Sequence, residues 1–276
     1  DQFTFERAMV AAGLEDVWVV SFAAINFYGH KLVIIPVTIA TGLSLAILPA
    51  LTKSFTNRDR LVMESQINQA FQIILVLVIP AVVGLIALSD VAYGSLYKLD
   101  NIEITGTLLA WSAPLAIFFA IFMVSSSVLQ GINEQRFAVV SLSAGLLFKI
   151  LLNSQFIHMF GAKGAIFGTV SAVGIASACN LWRIKTSIHF SYKQTAKRGL
   201  LVLLFSGVMF ATIMGVKYIS SFFLAYQEQR FAAVIVLILG VGIGGIVYLW
   251  LAYQSTLLER TLGDRVKKLE RFIKKI

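Results

Sequence analysis

The sequence predicts an all-α integral membrane protein with about seven transmembrane helices, on three observations. Apolar side chains make up 58% of the 276 residues and charged side chains only 13%, too few to cover a soluble core of this size. The mean hydropathy is +0.83. Long uncharged runs recur along the chain. The single Cys excludes a disulfide-rich secreted scaffold.

Seven runs are long and apolar enough to cross a bilayer, because a helix needs about 20 apolar residues to do so. A transmembrane barrel is excluded, since its strands span about 10 residues and alternate polar with apolar positions. The first run continues outward to Val17. In chain order the runs are Leu32–Thr52, Ser65–Ser89, Ile104–Asn133, Phe137–Ala162, Gly164–Trp182, Gly199–Val216 and Phe231–Leu258.

The basic residues predict the orientation of the chain. When loops are assigned to alternate sides, 16 of the 23 Lys and Arg residues lie on one side, around Arg58, Arg136, Lys193 and the C-terminal tail. Lys and Arg are enriched in cytoplasmic loops, so this side and the C-terminus are predicted to be cytoplasmic. The net charge of +9 therefore indicates topology and not nucleic-acid binding.

Lys149 lies in the middle of an apolar run, where a cation costs about 2.5–3.5 kcal/mol. Ser141, Gly145, Lys149 and Asn153 recur every four residues and so share one helix face. We interpret this face as a stripe lining a substrate cavity for an anionic or sugar-rich substrate. The alternative is a structural Lys that binds the carbonyls of a broken neighbouring helix.

Lys31 is the second candidate cavity residue, because it opens the first run at its outer side. The alternative is an anchor whose amine reaches the lipid headgroups. In the same run, Pro36 removes a backbone donor and is a candidate hinge. Prolines are also simply common in membrane helices.

Small residues in the fifth run predict close helix packing. They recur every four residues and begin with a GxxxG, a pattern that lets helix backbones approach closely. The predicted packing residues are Gly164, Gly168, Ala172 and Ala176. Ser125, Ser126 and Ser127 in the third run are candidates for hydrogen bonds across helices.

The sequence contains no catalytic or metal-binding constellation. His30, His158 and His189 are scattered, and HExxH, CxxC and GxSxG are absent. Gly240–Gly245 formally matches GxGxxG, but it lies inside a span and not between a strand and a helix. We therefore expect no enzyme activity, no metal and no cofactor.

Two segments resemble the polysaccharide-exporter branch of the MOP (multidrug/oligosaccharidyl-lipid/polysaccharide) superfamily. Leu129–Gly174 carries LQG, a short turn, a helix with KILLN, and GAIFGT, in the order seen in that branch. Phe27–Phe55 is similar to the eighth helix of MurJ-type and YtgP/SpoVB-like lipid II flippases, and DQFTF at the start is similar to the end of the seventh.

The resemblance implies two six-helix lobes around a cationic cavity, followed by two extra helices. This chain would hold helices eight to fourteen, the C-terminal half, without the N-terminal lobe. The substrate would be an undecaprenyl-pyrophosphate-linked precursor, typically lipid II, moved across the bacterial cytoplasmic membrane. Lys31 matches an arginine considered important for transport in MurJ-type proteins, but it offers a point charge in place of a bidentate fork.

The resemblance also divides the chain. Residues 1–16 would hold the end of a preceding helix and an extracellular loop, and residues 17–184 five helices of the C-terminal transporter lobe. Residues 199–254 would form the two additional helices. Residues 255–276 would form a cytoplasmic tail, whose apolar residues at helical spacing between basic ones predict an amphipathic helix on the inner leaflet. A short coiled-coil contact is the alternative for this tail.

Three functions are consistent with these features. A lipid II flippase is the leading hypothesis, with lipid II or a lipid-linked oligosaccharide, membrane lipids and the missing N-terminal lobe as partners. A cation-coupled multidrug exporter of the same superfamily is the second, although no span here carries an Asp or Glu in its interior. The third is a non-transporting scaffold of a cell-wall synthesis complex.

Overall fold

The computed structural model describes residues 2–97, 101–224, 226, 229–255 and 257. Within these ranges the chain forms helices and no strands. A 3₁₀ turn (Glu15–Val17) precedes the helix that begins at Trp18, and a π-helical turn (Ala24–Gly29) joins that helix to the one that begins at His30. The helices are α1 (Gln2–Ala11), α2 (Trp18–Ala23), α3 (His30–Thr56), α4 (Arg60–Ala87), α5 (Ser89–Leu96), α6 (Ile102–Ser112), α7 (Leu115–Gly131), α8 (Gln135–Phe160), α9 (Ala162–Ile188), α10 (Lys193–Ser221) and α11 (Arg230–Gln254).

Seven segments of the described chain are long and apolar enough to cross a membrane, which confirms the predicted all-α membrane fold. The first span is longer than its uncharged run and extends back to Glu15. The seven segments are Glu15–Thr56, Arg60–Ala87, Ile102–Gly131, Gln135–Phe160, Ala162–Ile188, Lys193–Ser221 and Arg230–Gln254.

Local sequence features determine several helix ends. Asp59 caps α4, and its carboxylate accepts a hydrogen bond from the Val62 amide at 3.2 Å. Gly161 ends α8 with a φ of +59°, a conformation that glycine adopts at little cost. Pro114 separates α6 from α7 within one span, whereas Pro36 lies inside α3.

Two helix groups share the interior. In the first, α3 packs against α4 and α7, and α9 packs against α7 and α8. In the second, α10 packs against α4 and α11, around a core that includes Val76, Met209 and Tyr248. The division between residues 17–184 and 199–254 stays a prediction, and the tail after residue 257 lies outside the described residues.

The lateral surface of α8 is apolar. Leu146, Leu147, Ile150 and Leu151 are all exposed there. Exposed branched side chains on a helix of spanning length are typical of contact with lipid tails, whereas a soluble protein would bury them. The described part of the chain therefore has the surface of a multi-pass membrane protein.

The turns between spans meet at two ends of the bundle. At one end, the α3–α4 turn and the α9–α10 turn together line a cavity of about 350 Å³ that includes Arg58 and His189. At the other end, Lys217 of α10 pairs with Asp90 at 2.7 Å, and Arg230 donates to a backbone carbonyl of α5 at 2.9 Å. Basic and acidic residues at the second end thus hold α10 and α11 against α5.

Candidate functional site

Helix α3 has one packed face and one open face. The packed face buries residues such as Leu32, Val37 and Ala40 against α4 and α7. On the opposite face, a Cβ added at Gly42 would meet no atom within 4 Å. The exposed positions on this open face follow helical spacing and are Lys31, Ile35, Thr38, Thr41, Gly42, Leu45, Pro49 and Thr52.

The open face combines a cation with hydroxyl groups. The hydroxyls of Thr38 and Thr41 donate to carbonyls of their own helix, at 2.7 Å from Ile35 and 3.1 Å from Val37. Their remaining lone pairs can accept hydrogen bonds from a bound polar group. The face can therefore bind an anionic or hydroxylated molecule, with Lys31 as its cation.

A π-helical turn precedes Lys31 by two residues and sets its position. A Cβ at Gly29 would overlap the carbonyl oxygen of Ala24, so the turn requires glycine there. The hydroxyl of Tyr97 donates to the Tyr28 carbonyl at 3.3 Å, which ties the turn to the end of α5. Such π turns within α-helices are frequent at functional sites.

Amide groups of α4 border a second cavity beside α3. A cavity of about 390 Å³ lies between α3 and α4 and is bordered by Gln66 and Gln69. The hydroxyl of Ser54 donates to the Gln66 amide oxygen at 3.1 Å. Gln69, on the same border, has an exposed side chain. The amides therefore lie beside α3, next to Leu43, Ala46, Ile47 and Ala50.

An apolar groove is lined by residues of α3, α4, α10 and α11. It has a volume of about 340 Å³ and is lined by Pro36, Pro80, Gly84, Met209 and Tyr248, among other apolar groups. The candidate hinge Pro36 therefore borders this groove. It also lies about one and a half helical turns from Lys31. The groove has the shape and chemistry to hold a hydrocarbon chain.

The predicted stripe on α8 faces α9. The Ser141 hydroxyl donates to the Asn180 amide oxygen at 2.5 Å. A Cβ at Gly145 would overlap the carbonyl oxygen of Ala172. Asn153 lies against Gly168. A Cβ added at Gly168 would come within 2.6 Å of the Asn153 amide oxygen.

Lys149 is half-buried on the same helix. In the described helix contacts, α8 packs on α9, α7 and α1, and α3 packs on α4 and α7. These contacts do not bring Lys149 to Lys31. The roles of Lys149, Asn153 and Ser141 in a substrate cavity stay a prediction.

The small residues of α9 lie in the contact with α8. Gly168, Ala172 and Ala176 border Asn153 and Gly145 across this contact, and a Cβ at Gly164 would overlap the backbone of Phe156. Gly164, Gly168, Ala172 and Ala176 are all buried. The absence of larger side chains is what allows the two helices to approach this closely.

Asn180, which continues the four-residue repeat of Gly164, Gly168, Ala172 and Ala176, connects three helices. Its amide nitrogen donates to the hydroxyls of Ser125 at 3.2 Å and Ser126 at 3.0 Å, while its oxygen accepts from Ser141. Ser127 donates to the Ser44 carbonyl on α3 at 2.6 Å. The hydrogen bonds across helices expected for these serines are therefore present.

Three tyrosines at the Lys31 end were missed by sequence reasoning. Tyr28, Tyr93 and Tyr97 form a ring cluster with centroids 4.7–6.0 Å apart. The i, i+4 spacing of Tyr93 and Tyr97 places both on one helix face and could have indicated a cluster. Tyr28 could not have been added to it, because its position depends on the π-helical turn. Within the described ranges, no three His, Cys, Asp or Glu residues lie together as metal ligands would.

Seven apolar helices of spanning length make the described part of the chain an all-α multi-pass membrane protein. No profile of a known protein family matches the chain. The chain is 38% identical to the lipid II flippase MurJ of Bacillus subtilis (strain 168) over 268 residues, which are 96% of this chain and 49% of that protein. The chain is therefore homologous to the MurJ-type flippases of the MOP superfamily, as its motifs predict.

Two further relatives are more distant. The chain is 24% identical to an uncharacterized membrane protein of B. subtilis, over 80% of this chain and 41% of that protein. It is also 24% identical to a probable low-salt glycan biosynthesis flippase of Haloferax volcanii, over 64% of this chain and 38% of that protein. The names of the flippase relatives indicate transporters and not enzymes.

A solved structure has the same fold. The lipid II flippase MurJ in an inward closed conformation superposes with a TM-score of 0.67 at 21% identity, over 95% of this chain and 52% of that chain. The chain spans about half the length of the relatives it matches. This coverage fits the predicted correspondence to the C-terminal half of a two-lobed protein.

Proposed function

We propose that this chain forms the C-terminal half of a flippase that moves an undecaprenyl-pyrophosphate-linked cell-wall precursor, lipid II, across the bacterial cytoplasmic membrane. The observation that carries the proposal is the 38% identity to a lipid II flippase over 96% of the chain. The open face of α3 supports the proposal. Because α3 packs on one face only, its other face can border a substrate path between two lobes.

Lys31 supplies the charge that attracts the pyrophosphate. A cation exposed on a membrane-spanning helix needs a polar or anionic partner, since an unpaired charge in the hydrocarbon region is costly. A lysine amine is a compact donor of three hydrogen bonds and binds phosphate as a point charge. The lipid-linked pyrophosphate would be held at this end of α3.

Lys149, Asn153 and Ser141 are proposed as further cavity residues. The amide oxygen of Asn153 is buried and has no hydrogen-bond partner among the described residues, so it can accept one from a substrate hydroxyl. Ser141 is already bonded to Asn180. Its contact with substrate would therefore require α8 and α9 to separate during transport.

The apolar groove would hold the undecaprenyl chain while the headgroup crosses. It lies beside α3 and contains Pro36 and Pro80, and α10 and α11 form its other wall. We propose Pro36 as the hinge, because a proline removes one backbone hydrogen bond of α3 between Lys31 and the groove. Bending there would change the position of the headgroup relative to the lipid tail.

The open face of α3 would border the N-terminal lobe across the cavity. Transporters built from two repeats bind their substrates near the midplane between the repeats. The end that contains Arg58 and Lys193 would face the cytoplasm, together with the C-terminal tail, by the excess of basic residues. The opposite end, with Asp90 and Lys217, would face outward.

A lipid II accessibility assay tests the proposal. Cells depleted of their own flippase would receive a protein in which this chain follows the N-terminal lobe of the B. subtilis relative, or this chain alone. We expect the joined protein to flip lipid II and the chain alone to remain inactive, because half the cavity wall is missing. Inserted joined protein that flips no lipid II would favour a scaffold role, and activity of the chain alone would contradict the half-protein proposal.

A further inference from the structure

Pro80 interrupts the backbone hydrogen bonds of α4. In an α-helix each carbonyl accepts from the amide four residues later, and proline has no amide hydrogen. The carbonyl of Val76 therefore lacks its helical donor at residue 80. Val76 is buried, and a buried carbonyl without a hydrogen bond is unfavourable. A donor from elsewhere in the protein is needed at this point of α4.

Tyr248 of α11 is that donor. Its hydroxyl donates to the Val76 carbonyl at 2.7 Å, although 172 residues separate the two in the chain. The Tyr248 side chain is itself buried and lines the apolar groove together with Pro80. This hydrogen bond therefore joins α11 directly to the proline site of α4, at the groove that both helices line.

Ser206 of α10 lies level with the same proline. Helices α4 and α10 run parallel in a constant register, because three hydrogen-bonded pairs along them are separated by 127, 126 and 127 residues. These pairs are Asn68–Thr195, Gln72–Arg198 and, just beyond α4, Asp90–Lys217. The same register places Ser206 beside Pro80. Val202 and Met209, one turn to either side of Ser206, pack in the same cluster as Val76.

The hydroxyl of Ser206 is buried and has no hydrogen-bond partner among the described residues. A serine or threonine in a helix can donate back to a carbonyl one turn earlier, as Thr212 of α10 does to Val208 at 3.0 Å. Ser206 does not make this bond. An unpaired hydroxyl in the interior is unfavourable, so it is available as a donor to a carbonyl of α4.

We propose that Tyr248 and Ser206 exchange at the Val76 carbonyl and so form a two-position switch for α11. In the first position, seen here, Tyr248 holds α11 against α4. In the second, α11 has moved away and Ser206 donates to the same carbonyl. The movement then leaves no unpaired carbonyl in the membrane-spanning region, and the apolar groove widens. The switch is a property of the helices and does not depend on the proposed transport.

Distances between spin labels on α4 and α11 test the switch in the purified joined protein, without any substrate. The labels are attached at Leu61→Cys and Trp250→Cys, two exposed positions near the same end of the bundle, and all other cysteines are replaced by Ser. Double electron–electron resonance should show a shorter and a longer distance. Tyr248→Phe should raise the ratio of the longer to the shorter distance about 3- to 10-fold, the effect of one hydrogen bond. Ser206→Ala should lower this ratio by a similar factor, because only the second position uses its hydroxyl.

Three further variants separate the switch from a fixed structural contact. The variant with both Tyr248→Phe and Ser206→Ala should return the ratio close to that of the wild type, because each position has then lost one donor. Pro80→Ala provides an amide that can donate to Val76, so Tyr248→Phe should leave the ratio unchanged in that background. Tyr218→Phe is the matched control, since it removes a hydroxyl from an exposed tyrosine of α10 and should have no effect.

Two results would overturn the assignment of the Tyr248 bond to the proline site: an unchanged ratio in Tyr248→Phe, or a shift that persists in the Pro80→Ala background. A ratio that Ser206→Ala does not lower would overturn the exchange, since Tyr248 would then be a fixed contact between α4 and α11. Because no substrate enters these measurements, failure of the flippase proposal is seen separately, in the lipid II accessibility assay.

Discussion

Helices α3 and α8 both carry polar residues at helical spacing. The polar residues of α3 lie on its open face, whereas those of α8 lie on the face that packs against α9. On α3 the packed face is mostly apolar, with Ser44 and Ser54 as its buried hydroxyls, and the open face carries Lys31, Thr38 and Thr41. On α8 the face with Ser141 and Gly145 is buried against α9, and the exposed residues are mostly apolar, among them Leu146, Leu147 and Ile150. A polar stripe therefore identifies a face that avoids lipid, but it does not say whether that face meets protein or substrate.

The difference follows from the neighbour of each helix. Helix α9 presents glycine and alanine to α8, so the backbones approach and the serine and asparagine side chains find partners in the contact. The open face of α3 has no such neighbour within the described residues. Substitutions on the two helices therefore test whether the two faces differ in packing and in function.

Gly145→Val should have the largest effect, on stability. The added side chain would overlap the backbone of Ala172, which cannot move without separating α8 from α9. We expect the free energy of unfolding to fall by about 3 kcal/mol, together with membrane abundance. Thermal unfolding in detergent measures this.

Gly42→Val on the open face of α3 is the control for this substitution. It should change stability by less than about 0.5 kcal/mol, because nothing lies within 4 Å of the added carbon. Equal losses in the two variants would mean that the two faces do not differ in packing.

Asn180→Ala should destabilise the protein by about 2 kcal/mol, since it removes the three hydrogen bonds that join α9 to serines of α7 and α8 in a buried contact. Ser141→Ala should cost little in that background, because its bond to Asn180 is already lost. A double-mutant cycle on thermal stability measures this coupling. Strictly additive losses would contradict a shared network.

Lys31→Gln should lower lipid II flipping about tenfold at unchanged membrane abundance, the effect of losing a charge-assisted hydrogen bond. Lys31→Arg should keep part of the activity, because the charge is retained. The measurement is lipid II accessibility normalised to inserted protein. Lost abundance with normal specific activity would instead indicate a headgroup anchor.

Lys149→Gln should have the smallest effect, a two- to fivefold loss of flipping, because a half-buried amine contributes less than about 1 kcal/mol to an ion pair. Lys149→Arg should not restore activity, since the close contact of α8 with α9 leaves little room for a guanidinium. Flipping at the wild-type level in Lys149→Gln would remove this residue from the cavity and assign the whole stripe to packing.

The cluster of Tyr28, Tyr93 and Tyr97 could not be derived from the sequence. Tyr93 and Tyr97 are neighbours on one helix face, but Tyr28 lies far from them in the chain and reaches them only through the π-helical turn. A π turn has no strong signature in the sequence, because it differs from an α-helix by a single extra residue within a turn. Lys31, by contrast, is predicted from its charge and its place at the outer start of the first run.

The sequence by itself determined the seven spans, the homology and the spacing of the polar stripes. Spans are readable because a helix in lipid must satisfy its own backbone hydrogen bonds and present apolar side chains, and both are local properties. Only the tertiary structure decided which stripe is packed and which is open. That choice depends on partners distant in the chain, such as Asn180, which lies 39 residues from Ser141 and forms its hydrogen bond only when α8 and α9 come together.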